Sequence, residues 1–213
     1  MWILWTSIAL AGPPPSKESS PVRTSVTSRP ACPDSIGVLA LPEHIKADDP
    51  RLMSKHLIVV LKASRKVMRM SRGRLLHKDG SPACWPAGLG FDPLGHKKVE
   101  GDGKTPEGFY RSSDKPTSSF YAAIAVHYPN LRDAATAASD GRIKAPTHQT
   151  IIDAINADKK PPQKTALGGE ILLHGGGSKT DWTLGCVALN DKDIDALRAT
   201  LPADMVTDVL ILP

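Results

Sequence analysis

The chain has 213 residues, 40% of them hydrophobic and 23% charged, which is ordinary for a globular protein and long enough for one sizeable domain. Seventeen glycines and 19 prolines, with only 5% aromatic residues, favour short strands and turns over a helical bundle. The net charge of +5 is compatible with an anionic partner such as a wall polymer. No run of five basic residues and no aromatic stripe accompanies it, so we expect no nucleic-acid partner.

The N-terminal region, residues 1–51, combines an apolar start with a linker-like segment. MWILWTSIALAG (1–12) is too short to span a bilayer and lacks a basic region, although Ala9-Leu10-Ala11 resembles a signal cleavage site. A remnant of an export signal and a disordered terminus explain it equally well. PPPSKESSPVRTSVTSRP is typical of a linker. We therefore expect one folded domain over residues 52–213 and no transmembrane span.

The first elements of this domain are predicted to be strands. HLIVVLK (56–62) has β-branched residues at its centre and predicts a buried strand, and VMRM (67–70) predicts a short partner. Arg72-Gly73 predicts the turn that follows. Residues 83–113 are rich in turn-forming residues and end in a strand predicted at 108–112.

Helices are predicted in the second half of the chain. PNLRDAATAASDG predicts a helix with Asn130 as N-cap and Gly141 as its stop, and the isoleucines within 151–155 predict a second, short one. GEILLH (169–174) predicts a strand, NDKDIDALRATLP a helix and VTDVLIL a closing strand. Strands outnumber helices without regular βαβ alternation. We therefore predict a mostly β fold, a β-sandwich or β-rich α+β domain, with a few short helices.

The three cysteines are not spaced as metal ligands. Cys32, Cys84 and Cys186 lie in no CxxC or comparable pattern, so we expect no structural zinc. In an oxidising compartment Cys32 can pair with Cys84, which leaves the thiol of Cys186 free. GGGSKT is not a phosphate-binding P-loop, because Ser178 stands where a glycine is required. We expect neither a metal nor an organic cofactor.

The segment LLHGGGSKTDWTLGCVALN places His174 and Cys186 on either side of a glycine-rich loop. A thiol nucleophile needs a base that lowers its pKa from about 8.5, and a histidine can take the proton and return it to a leaving amine. The loop that begins at Gly175 exposes carbonyls that can accept the second N–H of the imidazole. The N–H groups of Gly185 and Cys186 can face an oxyanion, and Trp182 can form a wall.

Each part of this segment also has a purely structural explanation. A cysteine beside Val-Ala-Leu is most often a small buried hydrophobe, and three glycines most often form a flexible turn. A histidine at a strand end is most often a satisfied polar residue. Each structural explanation is common by itself, but it is less common for all three to apply to one short segment. The local chemistry therefore leaves both a catalytic and a structural role open for this segment.

The same segment resembles the signature of L,D-transpeptidases with the YkuD-type catalytic domain. That signature is a histidine, a variable loop and then Ser/Thr-x-Gly-Cys, here His174, Thr183, Gly185 and Cys186. EGDGKTPEGFY is similar to the segment that precedes a central strand in this family. YPNLRD resembles a motif of the branch with a compact His-to-Cys loop. The likeness spans about residues 55–212.

The resemblance implies a β-rich sandwich fold and cysteine acyl chemistry on peptidoglycan stem peptides, without a cofactor. It implies Cys186 as nucleophile, His174 as base and the Gly175 carbonyl as the group that orients the imidazole. It also implies export to the periplasm or cell envelope, a role in cell wall biogenesis and cell shape, and acylation by carbapenem-type β-lactams.

Four further residues are candidates for contact with the substrate. Trp182 and Thr183 belong to the loop before the cysteine, where Trp182 is either a substrate wall or a loop anchor. Tyr128 and Asn130 are candidates by the likeness, although an N-cap at a strand-to-helix junction explains them equally well.

The sequence departs from the family pattern at two positions. Many members carry a second histidine where this chain has Leu184, and Arg or Asn where it has Ala188. The variant is similar to the branch that includes hydrolytic members which detach proteins from the wall. Transfer therefore stays open against hydrolysis by an L,D-carboxypeptidase or amidase. A non-catalytic wall-binding module and a general cysteine peptidase also stay open.

Overall fold

The computed structural model describes residues 32–213. In this part of the chain the strands are β1 (Leu57–Leu61), β2 (Lys66–Ser71), β3 (Arg74–Leu75), β4 (His77–Lys78), β5 (Ser81–Pro82), β6 (Cys84–Pro86), β7 (Gly108–Asp114), β8 (Ala123–Val126), β9 (Leu172–His174), β10 (Val187–Ala188) and β11 (Asp208–Leu212). The α-helices are α1 (Leu131–Ser139), α2 (Ala145–Asn156) and α3 (Asp191–Arg198). The prediction of a mostly β fold with a few short helices is confirmed.

One large sheet organises the molecule. Its strand order is β10-β9-β8-β7-β11-β1-β2-β3, with β6 added beside β2, and β4 pairs with β5 in a separate hairpin. The closing strand β11 lies parallel to β1 at the centre, as two neighbouring apolar strands of similar length allow. The strands β9 and β10 are parallel at one edge. The fold thus brings the two ends of the domain together and leaves the His–Cys segment at the sheet edge.

The two faces of the sheet are used differently. Alternate residues such as Ile58, Val60 and Leu173 point to a face covered by the three helices, and they form the main core there. The register pairs Ser113 with Ala125 and Ala125 with Leu172, so these three side chains share the opposite face. We call this opposite surface the site face.

The segment before β1 covers one end of the site face. Ile45 and Leu52 are buried against Phe109 and the outward residues of the central strands, and Cys32 is disulfide-bonded to Cys84. We expected the linker to run to residue 51. Within residues 32–51, Ile45 is buried on this sheet surface, and Cys32, Ile36, Leu39 and Leu41 are partly buried against the same cluster. The apolar start and the linker predicted within residues 1–31 lie outside the described residues.

The helix boundaries follow local capping. Asn130 caps α1 in a reciprocal capping box with Asp133, as the sequence predicts. Asn190 precedes α3 in cap conformation, but its side chain accepts no helix N–H. The strand β8 was not predicted, because AIAV lacks polar alternation and is too short to signal itself. Within residues 32–213, no helix combines the length and the apolar character needed to cross a bilayer.

Candidate active site

Two parallel edge strands place the histidine and the cysteine on the same face. β9 ends at His174, and Cys186 immediately precedes β10. Leu173 pairs with Val187, so Cys186 lies opposite Leu172, whose N–H donates to Cys186 Sγ at 3.4 Å. Side chains alternate along a strand, so Leu172 and His174 point to the same side. The thiol and the imidazole therefore both belong to the site face, two residues apart along neighbouring strands.

Small side chains form the floor beside this pair. Ala125 pairs with Leu172 and Ala123 pairs with His174 across β8 and β9. Cys186 packs against the cluster that these two alanines make with Leu172. Since an alanine projects only one methyl group, no long side chain of β8 rises between the sheet and a ligand that approaches the sulfur.

The imidazole of His174 is held in one orientation. Its Nδ1 donates to the carbonyl oxygen of Gly175 at 2.5 Å, and we assign the proton to Nδ1 because a carbonyl can only accept. Burial lowers the pKa of His174 below its ordinary value. The ring is therefore neutral at pH 7, with the lone pair of Nε2 available as a base.

Two aromatic rings enclose this histidine. The Phe120 ring stacks on the imidazole with centroids 4.3 Å apart, and the Trp182 ring meets it edge-on at 5.6 Å. Trp182 is 41% exposed and its Nε1 donates to the carbonyl of Gly177, so it is both a wall of the site and an anchor of the loop. Phe120 was missed from the sequence. Its loop connects β7 to β8, and without β8 nothing placed that loop beside the histidine.

The thiol of Cys186 rests in its neutral form. We expected a lowered pKa, but burial among apolar side chains raises the pKa of Cys186 to about 11. The thiol donates to the carbonyl of Glu170 at 3.5 Å, and among residues 32–213 it has no hydrogen bond to His174. At neutral pH a neutral thiol and a neutral imidazole thus lie on the same face of the sheet.

The predicted oxyanion donors behave differently from each other. The N–H of Gly185 donates to Thr183 Oγ1 at 3.1 Å, and that hydroxyl donates to the carbonyl of Cys186 at 2.7 Å. In this structure the N–H of Gly185 is therefore already bonded, and its role as an oxyanion donor stays a prediction. Within the described chain the N–H of Cys186 has no partner. Of the two predicted oxyanion donors, it is the one that is free to bind a ligand in this structure.

Thr183 organises the turn before the cysteine rather than exposing its hydroxyl to a ligand. It is 4% exposed, and its Oγ1 uses both its donor and its acceptor capacity within the turn. In this structure the hydroxyl is therefore not free for a ligand, and contact of Thr183 with the substrate stays a prediction. Gly185 completes the turn with φ +129°, and a Cβ there would lie 2.7 Å from the carbonyl oxygen of Lys104.

The loop between the two residues is anchored from outside. Asp181 accepts the N–H of Leu89 at 2.9 Å and forms a salt bridge with Arg65 at 2.7 Å. At the other end, a Cβ on Gly175 would lie 2.6 Å from the Asp191 carboxylate, which accepts the N–H of Gly176. The bonds of Asp181 and Asp191 therefore fix the two ends of this loop, whose glycines would otherwise allow many backbone conformations.

Tyr128 and Asn130 serve the framework. Tyr128 is 1% exposed and packs beside Tyr110, and burial raises its pKa above the ordinary value. The Asn130 side chain accepts the N–H of Asp133 and donates to the carbonyl of Phe109 at 3.0 Å. The N-cap explanation of the sequence therefore holds, and the structure does not place either residue at the sulfur.

One known family of catalytic domains matches most of this chain. The L,D-transpeptidase catalytic domain of the YkuD family matches residues 55–211, more than half of the chain. No curated protein matches this chain.

Three similar solved structures are the helical cell shape determining protein Pgp2 of Campylobacter jejuni, Bd1075 of Bdellovibrio bacteriovorus and an L,D-transpeptidase of Mycobacterium tuberculosis. Their identities are 22%, 24% and 10%, and their TM-scores are 0.47, 0.44 and 0.41. The matches cover 76%, 75% and 75% of this chain but 51%, 48% and 58% of those chains, so the protein spans about half the length of these relatives. By the domain match, the chain belongs to the YkuD family of L,D-transpeptidase catalytic domains.

Proposed function

We propose that the protein is a cysteine-dependent L,D-transpeptidase that acts on peptidoglycan stem peptides through an acyl-enzyme on Cys186. The observation that carries this proposal is the bond from His174 Nδ1 to the Gly175 carbonyl. This bond leaves the basic Nε2 on the same sheet face as Cys186. The thiol of Cys186 is free, because the other two cysteines, Cys32 and Cys84, form a disulfide with each other.

The reaction follows from the neutral pair. As the substrate carbonyl carbon approaches, Nε2 of His174 takes the thiol proton and the sulfur forms the new bond. The N–H of Cys186 stabilises the oxyanion of the tetrahedral intermediate. His174 then gives the proton to the leaving amine of the terminal D-alanine, and the thioester remains. An amine from a second stem attacks the thioester, returns a proton through His174 and regenerates the thiol.

A hydrolytic outcome is the second candidate. Leu184 is 73% exposed and Ala188 is buried, so neither position offers the polar group that many family members have there. Fewer polar contacts for an acceptor amine favour water, which would make the enzyme an L,D-carboxypeptidase or an amidase. Both outcomes pass through the same acyl-enzyme, and the reaction products distinguish them.

Export to the periplasm or cell envelope is part of the same proposal. The disulfide between Cys32 and Cys84 supports an oxidising compartment, since disulfides are rare where thiols are kept reduced. Wall biogenesis, and with it cell shape, is the cellular role that this chemistry predicts.

The test is turnover of purified muropeptides followed by mass spectrometry. Wild-type protein should release D-alanine from a tetrapeptide and carry a transient adduct on Cys186, and Cys186→Ala should do neither while keeping its thermal unfolding profile. His174→Gln should reduce turnover by roughly 10²–10⁴-fold, the usual contribution of a general base. Conversion by Cys186→Ala at the parental rate would exclude the proposal.

Two further substrates separate the rival classes. Cleavage of an ordinary L-peptide such as casein, without action on the D-alanine tetrapeptide, would identify a general cysteine peptidase. Binding of muropeptides without any turnover would identify a wall-binding module. A carbapenem should add its mass to the wild-type protein and leave Cys186→Ala unmodified.

A further inference from the structure

Two lysines and a glutamate form a charged cluster beside the thiol. The carboxylate of Glu170 accepts hydrogen bonds from Lys115 Nζ at 3.2 Å and from Lys160 Nζ at 3.3 Å. The backbone carbonyl of the same Glu170 accepts the thiol of Cys186 at 3.5 Å. A single residue thus connects the two ammonium groups to the sulfur.

This cluster carries more positive than negative charge. Two ammonium groups share one carboxylate, so one net positive charge remains. Among residues 32–213, neither lysine has a second salt-bridge partner. The side chains of Lys115 and Lys160 are each 31% exposed and that of Glu170 is 54% exposed, so a ligand can reach all three. A surplus of positive charge at an accessible place attracts an anionic group.

The ion pair between Lys115 and Glu170 crosses the floor of the site. Lys115 follows β7 and Glu170 precedes β9, and β8 lies between these two strands in the sheet. The helices cover the opposite side of the sheet, so the ion pair crosses β8 on the site face. The floor there consists of Ala123 and Ala125. A peptide that lies on this floor therefore meets the ammonium group of Lys115.

The backbone of Glu170 has an uncommon conformation. Its φ is +50°, in the left-handed region that residues other than glycine seldom adopt. The Gln163 side chain accepts the N–H of Glu170 at 2.7 Å and stabilises this conformation. Residues in such conformations are concentrated at functional sites. Here the conformation places the carbonyl of Glu170 at the sulfur and its carboxylate between the lysines.

The register shows which part of a substrate lies beside the cluster. In the proposed reaction the leaving nitrogen lies at His174, because this imidazole gives the proton to it. Cys186 lies opposite Leu172, and His174 is two residues further along β9. Glu170 is two residues from Leu172 in the other direction. The leaving D-alanine therefore extends away from the cluster, and the acyl part of the substrate, which stays on the sulfur, extends towards it.

Glu170 also gives the length of the interval between the sulfur and the lysines. Its carbonyl lies at the sulfur and its carboxylate lies between the lysines, so one residue with its side chain spans the interval. A neighbouring residue of an extended peptide adds about 3.3–3.6 Å. In a tetrapeptide whose third residue supplies the reacting carbonyl, the second and third residues are both within reach of the cluster.

We propose that Lys115 and Lys160 bind a free carboxylate on the acyl part of the wall peptide, within one residue of the carbonyl that reacts at Cys186. The inference rests on the proposed function for the identity of the peptide. Wall stem peptides match this chemistry when their second residue, or the side chain of their third, carries a free carboxylate. Glu170 holds the two lysines together and competes with the ligand for them.

The experiment measures binding without turnover. In full-length Cys186→Ala protein, a stem tetrapeptide with free carboxylates on its second and third residues is titrated by calorimetry, alongside the same peptide with these two groups amidated. Adding Lys115→Gln/Lys160→Gln should raise the dissociation constant for the acidic peptide by roughly tenfold and leave that for the amidated peptide unchanged. Glu170→Gln should act in the opposite direction and lower the dissociation constant for the acidic peptide about threefold, because the competing carboxylate is gone.

A matched control removes the same charge elsewhere. Lys55→Gln/Lys78→Gln changes two exposed lysines outside the site and should bind both peptides as the parent does. A third peptide, amidated only at its terminal D-alanine, should bind the double variant of Lys115 and Lys160 as weakly as the fully acidic peptide does.

Several results overturn the inference. Equal affinity of the parent and the Lys115→Gln/Lys160→Gln variant for the acidic peptide does so, and so does a loss shared with the control variant, which reports net charge alone. A loss of the same size for the amidated peptide indicates a structural role of the lysines, and a loss that disappears when the terminal D-alanine is amidated assigns the cluster to the leaving group. If the double lysine variant does not fold, Glu170→Gln decides, and unchanged affinity for the acidic peptide rejects the inference.

The proposed function is judged separately, from turnover by protein with Cys186 intact. Selective binding of the acidic peptide without turnover rejects the enzyme and keeps the carboxylate site. Turnover of acidic and amidated peptides with equal efficiency, together with equal binding, keeps the enzyme and rejects the site.

Discussion

The protonation state of Cys186 can be measured directly by alkylation at different pH values. Under non-reducing conditions Cys32 and Cys84 are joined, so Cys186 is the thiol that iodoacetamide can reach. Burial raises the pKa of Cys186 to about 11, and the imidazole makes no hydrogen bond to the sulfur within the described residues. We therefore expect the alkylation rate to rise with every pH unit between 7 and 10, without a plateau near neutrality.

The expected rate follows from the thiolate population. A pKa of about 11 leaves roughly 300-fold less thiolate at pH 7 than a free cysteine with a pKa near 8.5. A more basic thiolate is also more nucleophilic, which offsets about tenfold of this deficit. Cys186 should thus react roughly 30-fold more slowly than free cysteine. Intact-mass spectrometry over time gives the rate, and Cys186→Ser gives the background.

The variant His174→Gln distinguishes the protonation state of the thiol without substrate from its reactivity during turnover. His174→Gln should leave the alkylation profile nearly unchanged, because no hydrogen bond joins His174 to the sulfur within the described chain. The same variant should lose most of its turnover. A plateau of alkylation between pH 5 and 8 in the wild type that disappears in His174→Gln would refute this reasoning, since it would reveal a preformed thiolate–imidazolium pair.

Three other changes test the surroundings of the site. Phe120→Ala should raise the pKa of His174 towards its ordinary value, because the stacked Phe120 ring contributes to the burial that lowers this pKa. NMR titration should show the higher pKa, and the acid limb of kcat/KM should move to higher pH. An unchanged pKa of His174 would contradict this explanation. Gly185→Ala should lower the free energy of unfolding by about 1–3 kcal/mol in denaturant titrations, because its Cβ would clash with the carbonyl oxygen of Lys104. The control Gly95→Ala, at φ +76° with open space around it, should lower the free energy of unfolding by less. Equal decreases in the two variants would argue against the clash at Gly185. Cys32→Ser should lose about 4 kcal/mol, the chain-entropy value for a separation of 52 residues, and full stability after reduction of the parent would contradict this.

The sequence singled out His174 and Cys186 as candidates because their spacing around a glycine-rich loop resembles the L,D-transpeptidase signature. It also located α1, since Asn130 and Asp133 signal a capping box in the local sequence. It failed for β8, whose four apolar residues have no pattern of their own. Because β8 was not predicted, the sequence could not predict that Phe120 stacks on His174. The bonds of the Thr183 hydroxyl within its turn could not be predicted either, because the local sequence does not show whether a hydroxyl bonds the backbone or stays free for a ligand.

The sequence by itself determined the mostly β class, the capped helix and the identity of the histidine and cysteine, because each depends on neighbours within a few residues. The tertiary structure decided that these two residues share a sheet face, that burial keeps the thiol neutral and that Ile45 and Leu52 pack on the sheet. It also brought Arg51, Arg111, Arg132 and Lys159 from four separate segments to the walls of one cavity of about 340 Å³. Charge and burial depend on distances in space, and only the packed sheet fixes those distances.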